Sequence, residues 1–158
     1  MKKIFFAFGI TLLSVITTHA QTEKGTLLLG GDVSFNSTDG NSQFVARPNI
    51  GIFVANNFAI GGQGYLFTGD GFTSWRVGPF ARYYFTQSTK GKPFVGADVN
   101  IGGTDDSDTE FGFGARAGYA IFLNQSIALE LGVSYERLNE MDGISIGAGF
   151  QIHLKRKK

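Results

Sequence analysis

The stretch FTSWRVGPFARYYF, from Phe72 to Phe85, decides how this chain folds. Large apolar residues and two arginines alternate along it, so the two kinds of side chain separate onto opposite faces. One face carries Trp75, Val77, Pro79, Ala81, Tyr83 and Phe85, and the other carries Arg76, Gly78, Phe80, Arg82 and Tyr84. A period of two residues predicts a β-strand.

The length of this strand indicates its surroundings. At about 3.3 Å per residue it extends for roughly 40 Å or more, whereas strands of soluble domains usually end after about 5 or 6 residues. Trp75 near one end of the apolar face, with Tyr83 and Phe85 at the other, is typical of a lipid-facing strip bounded by aromatic residues at both membrane interfaces. The arginine face then lines a polar lumen. We therefore predict a transmembrane barrel strand.

The overall composition limits the function classes. With 23 Gly, 16 Phe and 3 Pro among 158 residues, the chain has too much glycine for a helical protein. A net charge of +1 gives no reason to expect nucleic acid as a partner. The sequence contains no Cys, which excludes a disulfide scaffold, thiolate catalysis and zinc–cysteine sites.

The first 20 residues have the pattern of an export signal. Lys2 and Lys3 precede the apolar run from Ile4 to Ile16, and Thr18-His19-Ala20 follows before Gln21. This pattern predicts a secretory signal peptide, residues 1–20, that is cleaved after Ala20. The alternative is an N-terminal membrane anchor, but the apolar run is shorter than the roughly 20 residues that a spanning helix needs.

Alternating segments and turn residues follow one another from Lys24 onward. We predict an all-β protein in which residues 21–158 form one domain, an eight-stranded antiparallel up-and-down transmembrane β-barrel with a short basic C-terminal tail. The predicted strands run from Thr26 to Asn36, Gln43 to Val54, Phe58 to Thr68, Phe72 to Phe85, Phe94 to Gly102, Thr109 to Phe122, Ser126 to Leu138, and Ile144 to Leu154.

The eighth segment shows the separation of faces most clearly. Ile144, Ile146, Ala148, Phe150, Ile152 and Leu154 alternate with Ser145, Gly147, Gly149, Gln151 and His153. Periodicity alone does not say which face points inward, and a lipocalin-like soluble barrel would place the apolar face inside. Side-chain size favours the membrane arrangement, because the large apolar residues would overfill a lumen of eight strands whereas glycine fits there.

Several stretches resemble a known family. GPFARYYF at residues 78–85, NFAIGGQGY at residues 57–65 and the signal followed by QTEKG resemble the outer-membrane protein beta-barrel domain family. The plan is similar to that of small OmpX-like and OmpW-like barrels. The resemblance implies a location in the outer membrane of a Gram-negative-type bacterium, with outer-membrane lipids and the export and barrel-assembly machinery as partners. Such barrels commonly finish on an outward aromatic residue, whereas here Leu154 is followed by Lys155, Arg156, Lys157 and Lys158.

No motif makes a positive case for catalysis, a cofactor or a metal. The glycine pattern from Gly112 to Gly118 lies within a predicted strand and opens no helix, so a dinucleotide fingerprint lacks its context. The acidic stretch Thr104 to Asp108 lacks the glycine and terminal glutamate of a calcium loop and is interpreted as solvated. His153 has no second imidazole or cysteine beside it once the signal is cleaved. We expect a protein that is not an enzyme.

Charge differs between the two predicted ends of the barrel. Acidic residues follow the odd strands, and basic residues gather at the end that carries both termini. The acidic set is Asp39, Asp70, Asp105, Asp106, Asp108, Glu140 and Asp142, and the basic set is Lys24, Lys90, Lys92 and residues 155–158. Arg137 is expected on the lipid face near the outer rim, with a lipid phosphate as its neighbour.

Counting residues across each turn brings inward charges together. A first hairpin centred between Asp39 and Gly40 sets Asp32 opposite Arg47. The next centres predict Arg82 opposite Asp98, Arg116 across from Asp98, and Glu130 one diagonal step from Arg116. We predict a ladder Arg82, Asp98, Arg116, Glu130 that plugs the lumen, with independent hydration of each charge as the alternative.

Three hypotheses for function remain at this stage. The first is a monomeric outer-membrane barrel with a structural or surface-interaction role and a plugged lumen. The second is an OmpW-like transporter or channel for small solutes. The third is a secreted soluble ligand-binding barrel, which fractionation without detergent would reveal.

Overall fold

The computed structural model describes residues 21–38, 41–69, 72–85, 88–104, 109–138 and 141–155. The predicted signal peptide, Asp39, Asp70, Asp105, Asp106, Asp108, Glu140 and residues 156–158 lie outside this part of the chain. Within these ranges no helix is long and apolar enough to cross a membrane.

Eight antiparallel strands form a closed barrel in sequence order, with β8 pairing back to β1. The predicted fold class is therefore confirmed. The strands are β1 (Thr26–Thr38), β2 (Asn41–Ala55), β3 (Phe58–Gly69), β4 (Phe72–Tyr84), β5 (Gly91–Thr104), β6 (Glu110–Phe122), β7 (Ile127–Leu138) and β8 (Met141–Lys155).

Most strands begin or end a few residues beyond their predicted limits. The largest difference is at β5, which begins at Gly91 rather than at Phe94 because Lys92 and Pro93 pair with β6. Extended strands leave short connections, so that two residues separate β1 from β2, β3 from β4, and β7 from β8. We call the end with these connections the loop end, and the end with the β2–β3, β4–β5 and β6–β7 connections the turn end.

The two faces of the wall differ as the alternation predicts. In β8 the side chains of Ile144, Ile146 and Phe150 are exposed, while Ser145, Gln151 and His153 are buried. The same separation recurs in β4 and β6, where Trp75, Val77 and Phe113 are exposed and Arg82 is buried. The barrel thus has an apolar outer belt and an interior of polar and aromatic side chains.

Two inward glycines make room for an aromatic ring inside the barrel. A Cβ on Gly61 would lie 2.8 Å from Cε1 of Phe80, and one on Gly51 would lie 3.0 Å from Cζ of the same ring. Gly118 stands in the same relation to Phe94, at 2.7 Å from Cζ. Because real Cβ atoms almost never approach this closely, these glycines give the interior rings their space.

Prolines interrupt the pairing between strands at two places. The β2–β3 register passes from Ala46↔Leu66 to Asn49↔Gln63 without a pair at Pro48. The β4–β5 register likewise has no pair at Pro79. Proline has no backbone N–H to donate, so neither residue can complete the hydrogen bonding there.

Candidate functional site in the barrel lumen

The part of the lumen nearer the loop end is organised around Arg47. Its guanidinium donates to the hydroxyls of Ser34, Ser134 and Ser145 at 2.9, 2.5 and 3.0 Å. Nη1 also donates to Oε1 of Glu136 at 3.1 Å. Four strands are thereby joined through one buried side chain, because these partners lie on β1, β7 and β8 while Arg47 lies on β2.

The Asp32 carboxylate forms ion pairs with two arginines. Its Oδ2 lies 3.3 Å from Nε of Arg47, which the β1–β2 register places directly opposite. Its Oδ1 forms an ion pair with Nη1 of Arg116 on β6, on the other side of the lumen. The carboxylate of Asp32 therefore connects neighbouring and opposite walls.

Glu136 pairs with a second arginine nearer the loop end. Its Oε2 lies 3.6 Å from Nη1 of Arg76. The Arg76 guanidinium also lies over the Tyr65 ring, 4.0 Å from the ring centroid. Cation–π contact with a ring and an ion pair together hold this guanidinium in place.

A second network lies closer to the turn end. Nη1 of Arg82 lies 2.9 Å from Oε2 of Glu130, and the hydroxyl of Tyr84 donates to Oε1 of Glu130 at 2.7 Å. All three residues are buried, and Glu130 and Tyr84 have no exposed surface. A fully buried carboxylate is tolerated when an arginine and a hydroxyl both partner it.

Aromatic rings pack inside the barrel between this network and the turn end. His153 lies between Phe53, Tyr84 and Phe122, with ring centroids 5.7, 6.0 and 5.1 Å from its own. Phe94 continues the cluster at 5.7 Å from Tyr84. Leu28 is buried with the same group.

The segment from Gln21 to Gly25 folds across the turn end. Nδ1 of His153 is hydrogen-bonded to the carbonyl of Gln21, and Nε2 of Gln21 donates to the carbonyl of Thr89 at 2.7 Å. Thr22 is buried and exchanges two hydrogen bonds with Asn57, which has a φ of 65° in the β2–β3 turn. This segment is therefore attached to β8 and to two turns.

Little empty space remains between the charged groups. The cavity bordered by Arg47, Arg82, Asp98, Arg116 and Glu136 has a volume of about 20 Å³. A cavity needs about 10–15 Å³ to hold one water molecule. This cavity therefore has room for a single water molecule.

The predicted ladder Arg82, Asp98, Arg116, Glu130 is wrong, because the strand registers do not place these residues opposite one another. Arg82 faces Gly96 rather than Asp98, and Asp98 faces Gly114 rather than Arg116. The β4–β5 and β5–β6 turns are each centred one residue earlier than predicted, which moves every partner by two positions and keeps the same face. Asp98 instead accepts a hydrogen bond from Nδ2 of Asn100 at 2.8 Å.

Glu130 also has a different partner from the one predicted. Glu130 faces Ala120, which lies two diagonal steps along β6 from Arg116 instead of the predicted one, because the β6–β7 turn is centred at Gln125. Its carboxylate reaches across the lumen to Arg82. Turn counting considers only neighbouring strands, and so it missed this pair.

The predicted interface residues all lie on the outer surface. Trp75 is exposed near the loop end of β4, and Tyr83 and Phe85 are exposed near the turn end, with their rings in an edge-on contact at 5.2 Å. Arg137 is exposed near the loop end of β7, and its register partner is Asp142.

Several lumen residues were not predicted as part of the site. Glu136, Arg76, Tyr65 and Tyr84 complete the two networks. The inward direction of Arg76, Tyr84 and Glu136 follows from the period of two, since each lies an even number of residues from a predicted lumen charge on its own strand. Tyr65 is the register partner of Arg76 on the adjacent strand. The partners of Glu136 and Tyr84 across the lumen do not follow from the sequence, because they lie on strands that are not adjacent.

The fold is that of eight-stranded outer-membrane β-barrels. The N-terminal β-barrel domain of Pseudomonas aeruginosa OprF is similar, with a TM-score of 0.67 and 13% identity over 83% of this chain and 98% of that chain. Neisserial surface protein A has a TM-score of 0.63 and 17% identity over 80% and 95% of the two chains. Outer membrane protein OprG from Pseudomonas aeruginosa has a TM-score of 0.58 and 12% identity over 85% and 98%.

Sequence comparison adds no narrower assignment. Neither a protein-family model nor a curated protein matches this chain. At the identities above, the structural similarity shows the fold.

Proposed function

We propose that this protein is an integral outer-membrane β-barrel whose lumen is plugged, with a structural or surface-interaction role and no enzymatic activity. The observation that carries the proposal is the set of ion pairs that crosses the lumen from wall to wall. Outer-membrane lipid, the export machinery and the barrel-assembly machinery are its proposed partners, and the barrel acts as a monomer.

The outer surface supports the membrane location. Large apolar side chains are exposed on every strand, among them Val33, Ile50, Leu66, Val77, Ile101, Phe113, Leu131 and Ile146. Soluble monomers rarely expose a continuous apolar surface of this kind. The buried arginines and carboxylates are also the reverse of what a soluble ligand-binding barrel requires.

The interior supports closure of the pore. Ion pairs fill the lumen from the loop end to Glu130, aromatic rings follow toward the turn end, and the segment from Gln21 to Gly25 crosses the turn end. In eight-stranded barrels the interior is just wide enough for side chains to fill it.

Charge balance supports a stable plug. Within the described ranges, the middle of the lumen contains the four arginines Arg47, Arg76, Arg82 and Arg116 and the four carboxylates Asp32, Asp98, Glu130 and Glu136. Lys92 near the turn end and Glu110 near the loop end add one inward position of each sign. Equal numbers of opposite charges reduce the cost of removing them from water, provided that they pair and accept further hydrogen bonds.

The short connections favour a structural role over recognition by surface loops. Loops that bind partners are usually long excursions held by a rigid scaffold. Here most loop-end connections contain two residues. Any surface interaction would therefore use the rim of the barrel.

Conductance of the purified, refolded protein in planar bilayers tests the plug. We expect no steady conductance, because no continuous aqueous path crosses the two networks and the aromatic cluster. A large-pore barrel reconstituted in the same lipid serves as the positive control. A large steady conductance, or solute flux from loaded liposomes, would refute the plug and favour the transporter hypothesis.

Fractionation tests the membrane location separately. We expect the protein to stay in the membrane pellet until detergent is added. Recovery of the folded chain in the soluble fraction without detergent would contradict the proposal.

A further inference from the structure

A polar pocket lies at the turn end, between the segment from Gln21 to Gly25 and the β4–β5 and β6–β7 turns. Its volume is about 450 Å³, within the range of about 300–1,000 Å³ that is usual for small-molecule sites. It is separate from the small cavity in the middle of the lumen, because the two have no described lining residue in common. The polar residues that line the pocket include Gln21, Glu23, Thr89, Lys92, Asn124 and Gln125.

Lys92 brings a positive charge to this pocket. Its side chain points into the barrel from the second residue of β5, and 2% of its surface is exposed. An ammonium group has three N–H donors, so Lys92 can keep its contacts with the protein and still donate to a ligand. The carboxylate of Glu23 lies 3.0 Å from Nζ of Lys155, so its charge is balanced by a lysine outside the described lining. The pocket therefore favours an anionic ligand.

Two amide side chains of the pocket are already held in position. Oδ1 of Asn124 accepts hydrogen bonds from the backbone N–H groups of Ser126 and Ile127 at 2.8 and 2.9 Å. The amide nitrogen Nδ2 is the group of Asn124 that remains as a donor for a ligand. Nε2 of Gln21 donates to the carbonyl of Thr89 at 2.7 Å, which leaves its Oε1 as an acceptor. Groups that are ordered beforehand lower the entropy cost of binding.

We propose that this pocket binds a small molecule with one carboxylate and further hydrogen-bonding groups, such as a short peptide with a free C-terminus. Lys92 pairs with the carboxylate, Asn124 donates to it, and the amides of Gln21 and Gln125 bind the rest of the molecule. One basic side chain in the described lining matches one negative charge, so a monocarboxylate fits better than a doubly charged phosphate. The inference goes beyond the plugged barrel, because it assigns a ligand to the mouth at the turn end and requires no passage through the lumen.

Acetyl-alanyl-alanine and its C-terminal amide are a matched pair of probes, because they differ only in the charge at the C-terminus. Each is titrated into the refolded full-length protein in detergent micelles, and the NMR signals of Thr89, Asn124 and Gln125 report binding. We expect saturable shifts with the acid. The amide should bind about tenfold more weakly or worse, the usual factor for losing a hydrogen bond to a charged group.

Substitutions test the two groups that are assigned to the carboxylate. Lys92→Met should weaken binding of the acid by about tenfold. Lys90→Met is the matched control, because this exposed lysine lies two residues earlier and outside the described lining, and it should leave the affinity unchanged. Asn124→Asp keeps the oxygen that accepts from Ser126 and Ile127 but replaces the donor with a negative charge. It should weaken the acid strongly and the amide much less.

Equal binding of the acid and the amide, or the absence of saturable shifts, would overturn the inference. The same conclusion follows if Lys92→Met binds the acid as well as the parent, or if Asn124→Asp does so where Lys92→Met does not fold. Inorganic phosphate that displaces the acid at a lower concentration than the acid itself requires would also overturn the assignment to a monocarboxylate. Conductance is measured separately, so failure of this proposal and failure of the plug are distinguishable.

Discussion

At the scale of single residues, the neighbouring glycines Gly61 and Gly62 show how tightly the interior is packed. A Cβ on Gly61 would lie 2.1 Å from the carbonyl oxygen of Ile50 and 2.8 Å from the ring of Phe80. A Cβ on Gly62, which points outward, would meet nothing within 4 Å. Position 61 therefore has no room for a side chain, whereas position 62 does.

We predict that Gly61→Ala destabilises the barrel by about 1–3 kcal/mol, the usual cost of overpacking a filled interior. Gly62→Ala is the matched control and should leave the free energy of unfolding unchanged or slightly higher. Urea titration of both variants in lipid vesicles measures the difference. Equal stability of the two variants would show that the interior is looser than described.

The buried pair of Arg82 and Glu130 gives a second prediction at this scale. Arg82→Met leaves the Glu130 carboxylate buried with the Tyr84 hydroxyl as its remaining partner, and we expect a loss of about 3–5 kcal/mol. Adding Glu130→Gln removes the uncompensated charge and keeps an acceptor for Tyr84. The double variant should therefore recover most of the loss.

A double-mutant cycle on the same two positions, measured by urea titration, gives the coupling free energy. The same cycle between Arg82 and Asp98 should show little coupling, because these residues form no ion pair with each other among the described contacts. Strong coupling of Arg82 to Asp98 and none to Glu130 would support the turn-counting ladder and contradict the cross-lumen pair.

At the scale of elements, β8 presents an apolar outer face of uniform chemistry along its length. Ile146 has 77% of its surface exposed, and Leu154 at the turn end has 36% exposed. The two residues face the same way and differ in their distance from the rim. This strand therefore separates the effect of depth from the effect of side-chain direction.

We predict that Ile146→Arg destabilises the barrel by about 2–4 kcal/mol, because a charge inside the hydrocarbon layer is costly. Leu154→Arg should cost about 0–1 kcal/mol, because it lies at the interface. Refolding titrations in bilayers measure both costs. Arginine at inward Gly147 should fail through overpacking instead, since a Cβ there already lies 3.2 Å from Oδ2 of Asp32. Equal tolerance of arginine at the three positions would contradict the assignment of faces.

At the scale of the whole molecule, the ion pairs in the lumen connect opposite walls of the barrel. Arg47–Glu136, Arg76–Glu136, Arg82–Glu130 and Arg116–Asp32 each join strands that are three positions apart around the barrel. Backbone hydrogen bonds connect only adjacent strands. These ion pairs resist deformation of the barrel cross-section. We therefore expect the absence of conductance to depend on the closed structure as a whole and not on any single residue.

The sequence by itself determined the strand period, the number of strands and the direction of each side chain. These properties are local, because alternation over about ten residues separates the faces whatever the rest of the chain does. The pairing of Asp32 with Arg47 also followed from the sequence, since one short hairpin connects the two residues.

Only the tertiary structure decided which charges meet across the lumen. A shift of one residue in a turn centre moves a partner by two positions without changing its face, so Arg82 and Asp98 remained inward yet were not opposite each other. Arg82 finds Glu130 because closure of the barrel brings β4 and β7 within the reach of an arginine side chain. Closure is a property of all eight strands together, so the pairing of Arg82 with Glu130 cannot be deduced from any single hairpin.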